Sequence, residues 1–76
     1  MKAEFRENYI KMGLRITYYR KLKNMSQEEL AEKAGLSASF IGQIEAPNTY
    51  KSFSFDTLFL IAQALDVPPC KLLDFD

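Results

Sequence analysis

The 76-residue chain has no histidine, one cysteine, and only three glycines and three prolines. Each scarcity excludes a class of chemistry. Without histidine, a zinc site would need several carboxylates and the single thiol acting together. One cysteine, Cys70, rules out an intrachain disulfide. It reads as a small buried hydrophobe, with a reactive thiol or a bridge between two chains as the alternative. The glycines form no phosphate-cradling loop, and no paired-carboxylate arrangement has a pocket-sized core to hold it. An enzyme is therefore not expected, and neither a cofactor nor a small-molecule ligand is implied. No apolar run approaches the length of a membrane span, and the charged, aromatic N-terminus does not resemble a signal peptide. The expectation is a soluble cytoplasmic protein.

What remains is an ordinary globular composition, 47% hydrophobic and 26% charged. The length fits one domain over residues 1–76, with a core thin enough that helix packing or oligomerisation must supply stability. Net charge is zero, which argues against indiscriminate binding to nucleic acid, but the charges are unevenly placed. Residues 1–24 hold seven basic groups (Lys2, Arg6, Lys11, Arg15, Arg20, Lys21, Lys23) and two acidic ones (Glu4, Glu7), net +5. The other 52 residues hold three basic and eight acidic groups, net −5.

Apolar residues recur at Phe5, Tyr9, Met12, Ile16 and Tyr19, the stripe of an amphipathic helix running to about Leu22. Asn24 and Met25 break it. Ser26 and Glu29 have the spacing of a capping box. A short second helix follows, with Leu30, Ala31 and Ala34 inward, ending at Gly35, where glycine takes a left-handed turn without penalty. Ser37 caps a third helix whose Ile41 and Ile44 point inward. Residues 46–54 have turn chemistry and no period. Ser54 caps a fourth helix with Asp56 in its first turn and Leu58, Ile61, Ala62 and Leu65 on its core face. Pro68 and Pro69 are expected to start a fifth, carrying Leu72 and Leu73. No strand alternation or repeat is present.

Two short helices joined by a tight glycine turn form a unit with steric logic. Ala31 must be small where the second helix crosses, and Leu36, Ile41 and Ile44 bury the joint. A pair held this way projects its second member, which can enter a major groove. The stretches "MSQEELAEKAGLSASFIGQIE" and "DTLFLIAQALDVPPCKLL" resemble the helix-turn-helix domain of the phage-repressor and Cro type (XRE family) over residues 14–73. The Ser-Gln-Glu-Glu-Leu-Ala segment, the turn glycine, the Ile-x-x-Ile-Glu end and the Leu-x-x-Ala-x-Ala-Leu fourth helix fall in order.

The resemblance implies an all-α, compact five-helix lambda-repressor-like domain with its motif core at 26–45. It further implies binding to double-stranded operator DNA as a homodimer, in the nucleoid. Ala38, Ser39, Gly42 and Gln43 match the face that meets bases. Gln27 matches a position that contacts a phosphate and braces the recognition helix, and Ser26 beside it is expected to contact phosphate too. Arg20 and Glu45 match a structural ion pair, which also has its own logic, since Glu45 adjoins the buried Ile44 and needs a partner. The chain departs from the family after the third helix. Ala46-Pro47 replaces the common Arg-Gly or Asn-Gly, the loop is longer, and Lys51 is its only cation.

The third helix contains no lysine or arginine, yet base readout does not need them. Glutamine pairs with adenine, serine donates or accepts, and alanine meets a thymine methyl. Affinity does need cations to release counterions from phosphates, and Lys11, Arg15, Lys21 and Lys23 of the first helix, with Lys51, are there to supply it. Gly42, costly inside a helix, signals close approach of either DNA or a packed neighbour. Taken singly, these side chains are also ordinary solvated surface. A dimer is expected through Leu72, Leu73 and Phe75, joined by the aromatic loop of Tyr50, Phe53 and Phe55. The rival reading is a protein–protein adaptor on the same scaffold. It rests on the neutral charge, that loop, and the acidic Glu28, Glu29 and Glu32.

Overall fold

The computed structural model describes residues 5–75, so Lys2 and Glu4 of the basic segment lie outside the described residues. It contains helices α1 (Arg6–Leu22), α2 (Gln27–Ala34), α3 (Ala38–Glu45) and α4 (Phe55–Leu65), followed by a 3-10 turn at Pro69–Leu72. The architecture is all-α, but the fifth helix is not one. Pro68 is extended, and the segment closes only through i to i+3 bonds, Lys71 N–H to the Pro68 carbonyl and Leu73 N–H to the Cys70 carbonyl. With two consecutive prolines lacking N–H groups, four residues are too few to build the α-helical ladder.

Short polar side chains start three of the helices. The Ser26 hydroxyl accepts from Glu29 N–H at 3.0 Å while the Glu29 carboxylate accepts from Ser26 N–H at 2.8 Å, a complete capping box. Ser37 and Ser54 accept from Phe40 N–H and Thr57 N–H. Left-handed residues end three: Asn24 beyond α1, Gly35 after α2 and Asp66 after α4, with φ of 58°, 72° and 58°.

Ile16, Leu30, Ile41, Leu58, Ile61, Leu65 and Leu72 are fully buried, so every helix and the 3-10 turn contribute to one core. Two sequence expectations fail here. Leu72 is a core residue and cannot belong to a surface patch, although Leu73 beside it is exposed and Phe75 is half-buried. Cys70 is exposed, because a three-residue turn that points Leu72 inward points the residue two positions earlier outward. The stripe on α1 also shortens. Phe5 is the N-cap and exposed, leaving Tyr9, Met12, Ile16 and Tyr19 against the core.

Gly13, within that stripe, sets the distance between α1 and α3. A Cβ there would overlap the carbonyl oxygen of Ile44, a backbone atom that has nowhere to retreat. The two helices therefore touch backbone to backbone where α3 ends.

Candidate nucleic-acid interface

The back of α3 is locked by its sequence. Ile41 and Ile44 enter the core and Glu45 is buried beside them. Arg20 of α1 grips Glu45 with both prongs of its guanidinium: Nε donates to Oε2 and Nη2 to Oε1, each at 2.8 Å. Its third nitrogen, Nη1, donates to the Met25 carbonyl at 2.7 Å. Gln27, the first residue of α2, donates from Nε2 to Glu45 Oε1 at 3.1 Å. One carboxylate thus holds α1, α2 and α3 together, and no buried side-chain polar atom among the described residues lacks a partner. The bond to Glu45 raises the Arg20 pKa above its already high ordinary value, with burial opposing. Arg20 therefore keeps its charge at every ordinary pH.

The front of α3 is open. Ser39 and Gln43, one turn apart, are exposed, and Ala38 and Gly42 form a half-buried line beside them facing α2. Gly42 is not demanded by the chain's own packing. A Cβ there would meet only Gln27 Oε1, at an ordinary 3.6 Å, so the packed-neighbour explanation fails. Leu14, Thr17 and Lys21 of α1 face Gln27, Gly42 and Pro47 across a shallow groove, which brings Lys21 to the edge of α3.

The expected cations divide by position. Lys23 is exposed just beyond α1. Lys51 sits near the start of α3, its Nζ 5.9 Å from the Phe40 ring centroid. Its loop is moored by Arg6 Nη2 to the Asn48 carbonyl and by Tyr9 against Tyr50 and Phe53. Arg15 is turned elsewhere. Two residues past Gly13 lies about 200° further round the helix, and Arg15 there bonds the Lys71 carbonyl and the Tyr19 hydroxyl. Ser26 is exposed at the start of α2. Its oxygen already accepts from Glu29 N–H, leaving the hydroxyl hydrogen to donate.

Sequence reasoning missed Gly13 and the pairing of Phe40 with Lys51. The first had a signal, a glycine inside a helical period. The second had none, since it depends on how the loop folds back. Among the described residues, no cluster of histidine, cysteine or carboxylates could hold a metal, and no helix is long and apolar enough to cross a membrane.

Comparisons with known proteins agree with this geometry. The helix-turn-helix family model matches residues 16–72. The control protein C.SmaI of Serratia marcescens is 40% identical over 55 residues, covering 72% of this chain and 63% of that protein. The HTH-type transcriptional regulator SinR of Bacillus subtilis (strain 168) is 43% identical over 63 residues, covering 83% of this chain and 56% of that one. The chain thus spans less than two thirds of the length of these relatives. Among solved structures, the restriction-modification controller protein C.AhdI from Aeromonas hydrophila superposes with a TM-score of 0.80 at 33% identity, over 87% of this chain and 97% of that one. A crystal structure of SinR in complex with DNA gives a TM-score of 0.76 at 43% identity, over 83% of this chain and 98% of that one. The chain belongs to the helix-turn-helix family of the phage-repressor and Cro type.

Proposed function

We propose that this protein is a sequence-specific regulator of transcription that lays α3 in the major groove of double-stranded DNA. The observation that carries the reading is the asymmetry of α3: its back is clamped by Arg20, Gln27 and two isoleucines, while Ser39 and Gln43 stand free on its front. A helix held rigidly by one face and open on the other is what base readout requires. A relative with the same fold has been solved with DNA.

Gln43 pairs with a base edge, Ser39 donates or accepts beside it, and Ala38 meets a thymine methyl. Gly42 leaves room for close approach of the duplex. Gln27, the Ser26 hydroxyl, Lys23 and Lys51 take phosphates, with Lys21 joining them from the groove edge. Arg15, engaged on the far side of α1, is left out of this set. Arg20 and Glu45 hold the frame. The DNA target implies residence in the cytoplasm, at the nucleoid.

Two copies bind together. The dimer surface is the apolar groove walled by Tyr9, Phe53, Phe55 and the exposed Leu73, with the buried Met12 and Leu58 as its floor. Selection from a random duplex pool tests the whole reading. It should enrich a two-fold symmetric site with half-sites about one helical turn apart. A pool that gains no consensus at low salt would instead favour the adaptor reading, in which the aromatic loop and acidic α2 face engage a protein.

A further inference from the structure

Helix α1 is apolar on two faces. Opposite the core-facing stripe, Leu14, Tyr18 and Leu22 follow one another at four-residue steps and are 47%, 53% and 61% exposed. Residues four apart stand on one line along a helix, so these three form a ridge about two turns long. The ridge is pre-ordered. Tyr18 stacks edge-on against Tyr19 with centroids 4.9 Å apart, and the Arg15 guanidinium lies 5.4 Å from the Tyr18 ring centroid. Its flanks are basic, with Lys11, Arg15 and Lys21 interleaved along the same face. The core does not need this ridge, and the proposed DNA contacts do not use Tyr18 or Leu22.

A second apolar surface of opposite charge lies on α4. Phe59 and Leu60 are 51% and 40% exposed there, and Phe59 stacks with its centroid 6.0 Å from that of Phe55, at the edge of the dimer groove. Asp56 and Gln63 border Phe59 and Leu60. Residues 52–70 contain two acids, Asp56 and Asp66, and no base at all. We propose that the Leu14–Tyr18–Leu22 ridge of one copy docks on the Phe59–Leu60 surface of another, a head-to-tail contact distinct from the two-fold dimer.

Charge selects this pairing over its alternatives. Two α1 ridges would bring lysines and arginine against their like, and two α4 surfaces would oppose aspartates. The mixed contact matches basic with acidic and puts a fixed aromatic anchor on each side, the residue type that dominates binding energy at interfaces. A contact between two different patches leaves one of each free on the pair it makes, so it goes on adding copies, in a row or in a ring if the rotation closes. Bound to neighbouring sites on one duplex, copies would recruit one another.

Complementary blocking tests this in solution, independently of DNA. One variant carries Tyr18→Asp with Leu22→Asp, and the other carries Phe59→Lys with Leu60→Lys. Circular dichroism checks their folding, and Tyr18→Ser and Phe59→Ser serve as milder substitutes. In sedimentation velocity, wild type should grow beyond a dimer as concentration rises, while each variant alone stops at the dimer or below. Mixing the two should restore growth, because a two-fold dimer of one variant offers two intact α4 faces to the intact ridges of dimers of the other. Wild type that never exceeds a dimer overturns the proposal and leaves both faces to some other partner. So does a mixture no larger than its components, or an α4 variant that grows alone as wild type does.

Discussion

Alanine in place of glycine should have opposite effects at two helical positions of this chain. Both Gly13 and Gly42 lie inside α-helices, where glycine is about 0.8–1.0 kcal/mol worse than alanine. At Gly42 the added methyl finds ordinary contact with one flexible side-chain atom, so Gly42→Ala should keep most of that gain. For a domain of this size it corresponds to a rise in Tm of about 4–8 °C per kcal/mol. At Gly13 the methyl collides with the backbone of Ile44, so α1 must lift away from α3. Overpacking of this kind costs about 1–3 kcal/mol, and a rigid backbone obstacle puts Gly13→Ala at the upper end. The helix-propensity gain offsets only part of that, leaving a net loss of about 1–2 kcal/mol. Urea unfolding followed by far-UV circular dichroism gives both values on the same scale. If DNA approaches Gly42, the stabler variant should also bind its selected duplex more weakly. A Gly13→Ala protein as stable as wild type would refute the close approach of α1 to α3 on which the clamp depends.

Breaking the clamp should be expensive. Arg20→Ala or Glu45→Ala should each cost about 3–5 kcal/mol, because each leaves a buried charge unpaired; a change under 1 kcal/mol in chemical denaturation would contradict the geometry. Asp66→Gly should raise stability by about 1 kcal/mol, since it removes both a left-handed non-glycine residue and a negative charge at the C-terminal end of α4; a lower Tm would count against it. The pH profile should be nearly flat. Arg20 has its pKa raised in the fold, so its contribution is complete at any pH below the ordinary arginine range and is lost only as pH climbs through the still higher folded value. With no histidine to titrate, melting temperatures measured between about pH 6 and 8 should agree closely.

The parts of the fold set by neighbouring residues were legible in the chain itself. Ser26 with Glu29, Ser37 and Ser54 cap helices because a cap needs only a hydroxyl and the next turn's N–H, both local. Gly35 ends α2 for the same local reason. What depended on distant residues was not legible. Pro68 and Pro69 marked where a helical turn begins, but that it stops after four residues follows from Leu72 reaching the core, and that contact also decides the exposure of Cys70. The apolar period of α1 located its inner face but hid the outer ridge, because a count of matches on one face is silent about the other. In the candidate interface, the residues that could meet a base were visible from the helix-turn-helix register. The direction of Arg15 was not, since Tyr18, Tyr19 and Lys71, brought in from two elements, determine where its guanidinium rests.

The measurement that bears most directly on the central claim is fluorescence anisotropy on a selected duplex and its scrambled counterpart across a salt series. Wild type, Gln43→Ala and Lys23→Ala would be compared, each first checked for folding. Wild type should prefer the selected duplex and lose affinity steeply as salt rises. Gln43→Ala should lose the equivalent of about 1–3 kcal/mol on the selected duplex and little on the scrambled one, because it removes a base contact. Lys23→Ala should weaken both duplexes alike and flatten the salt slope by about one unit, because a phosphate carries no sequence information. Equal affinity for the two duplexes, or none for either at low salt, would contradict the account.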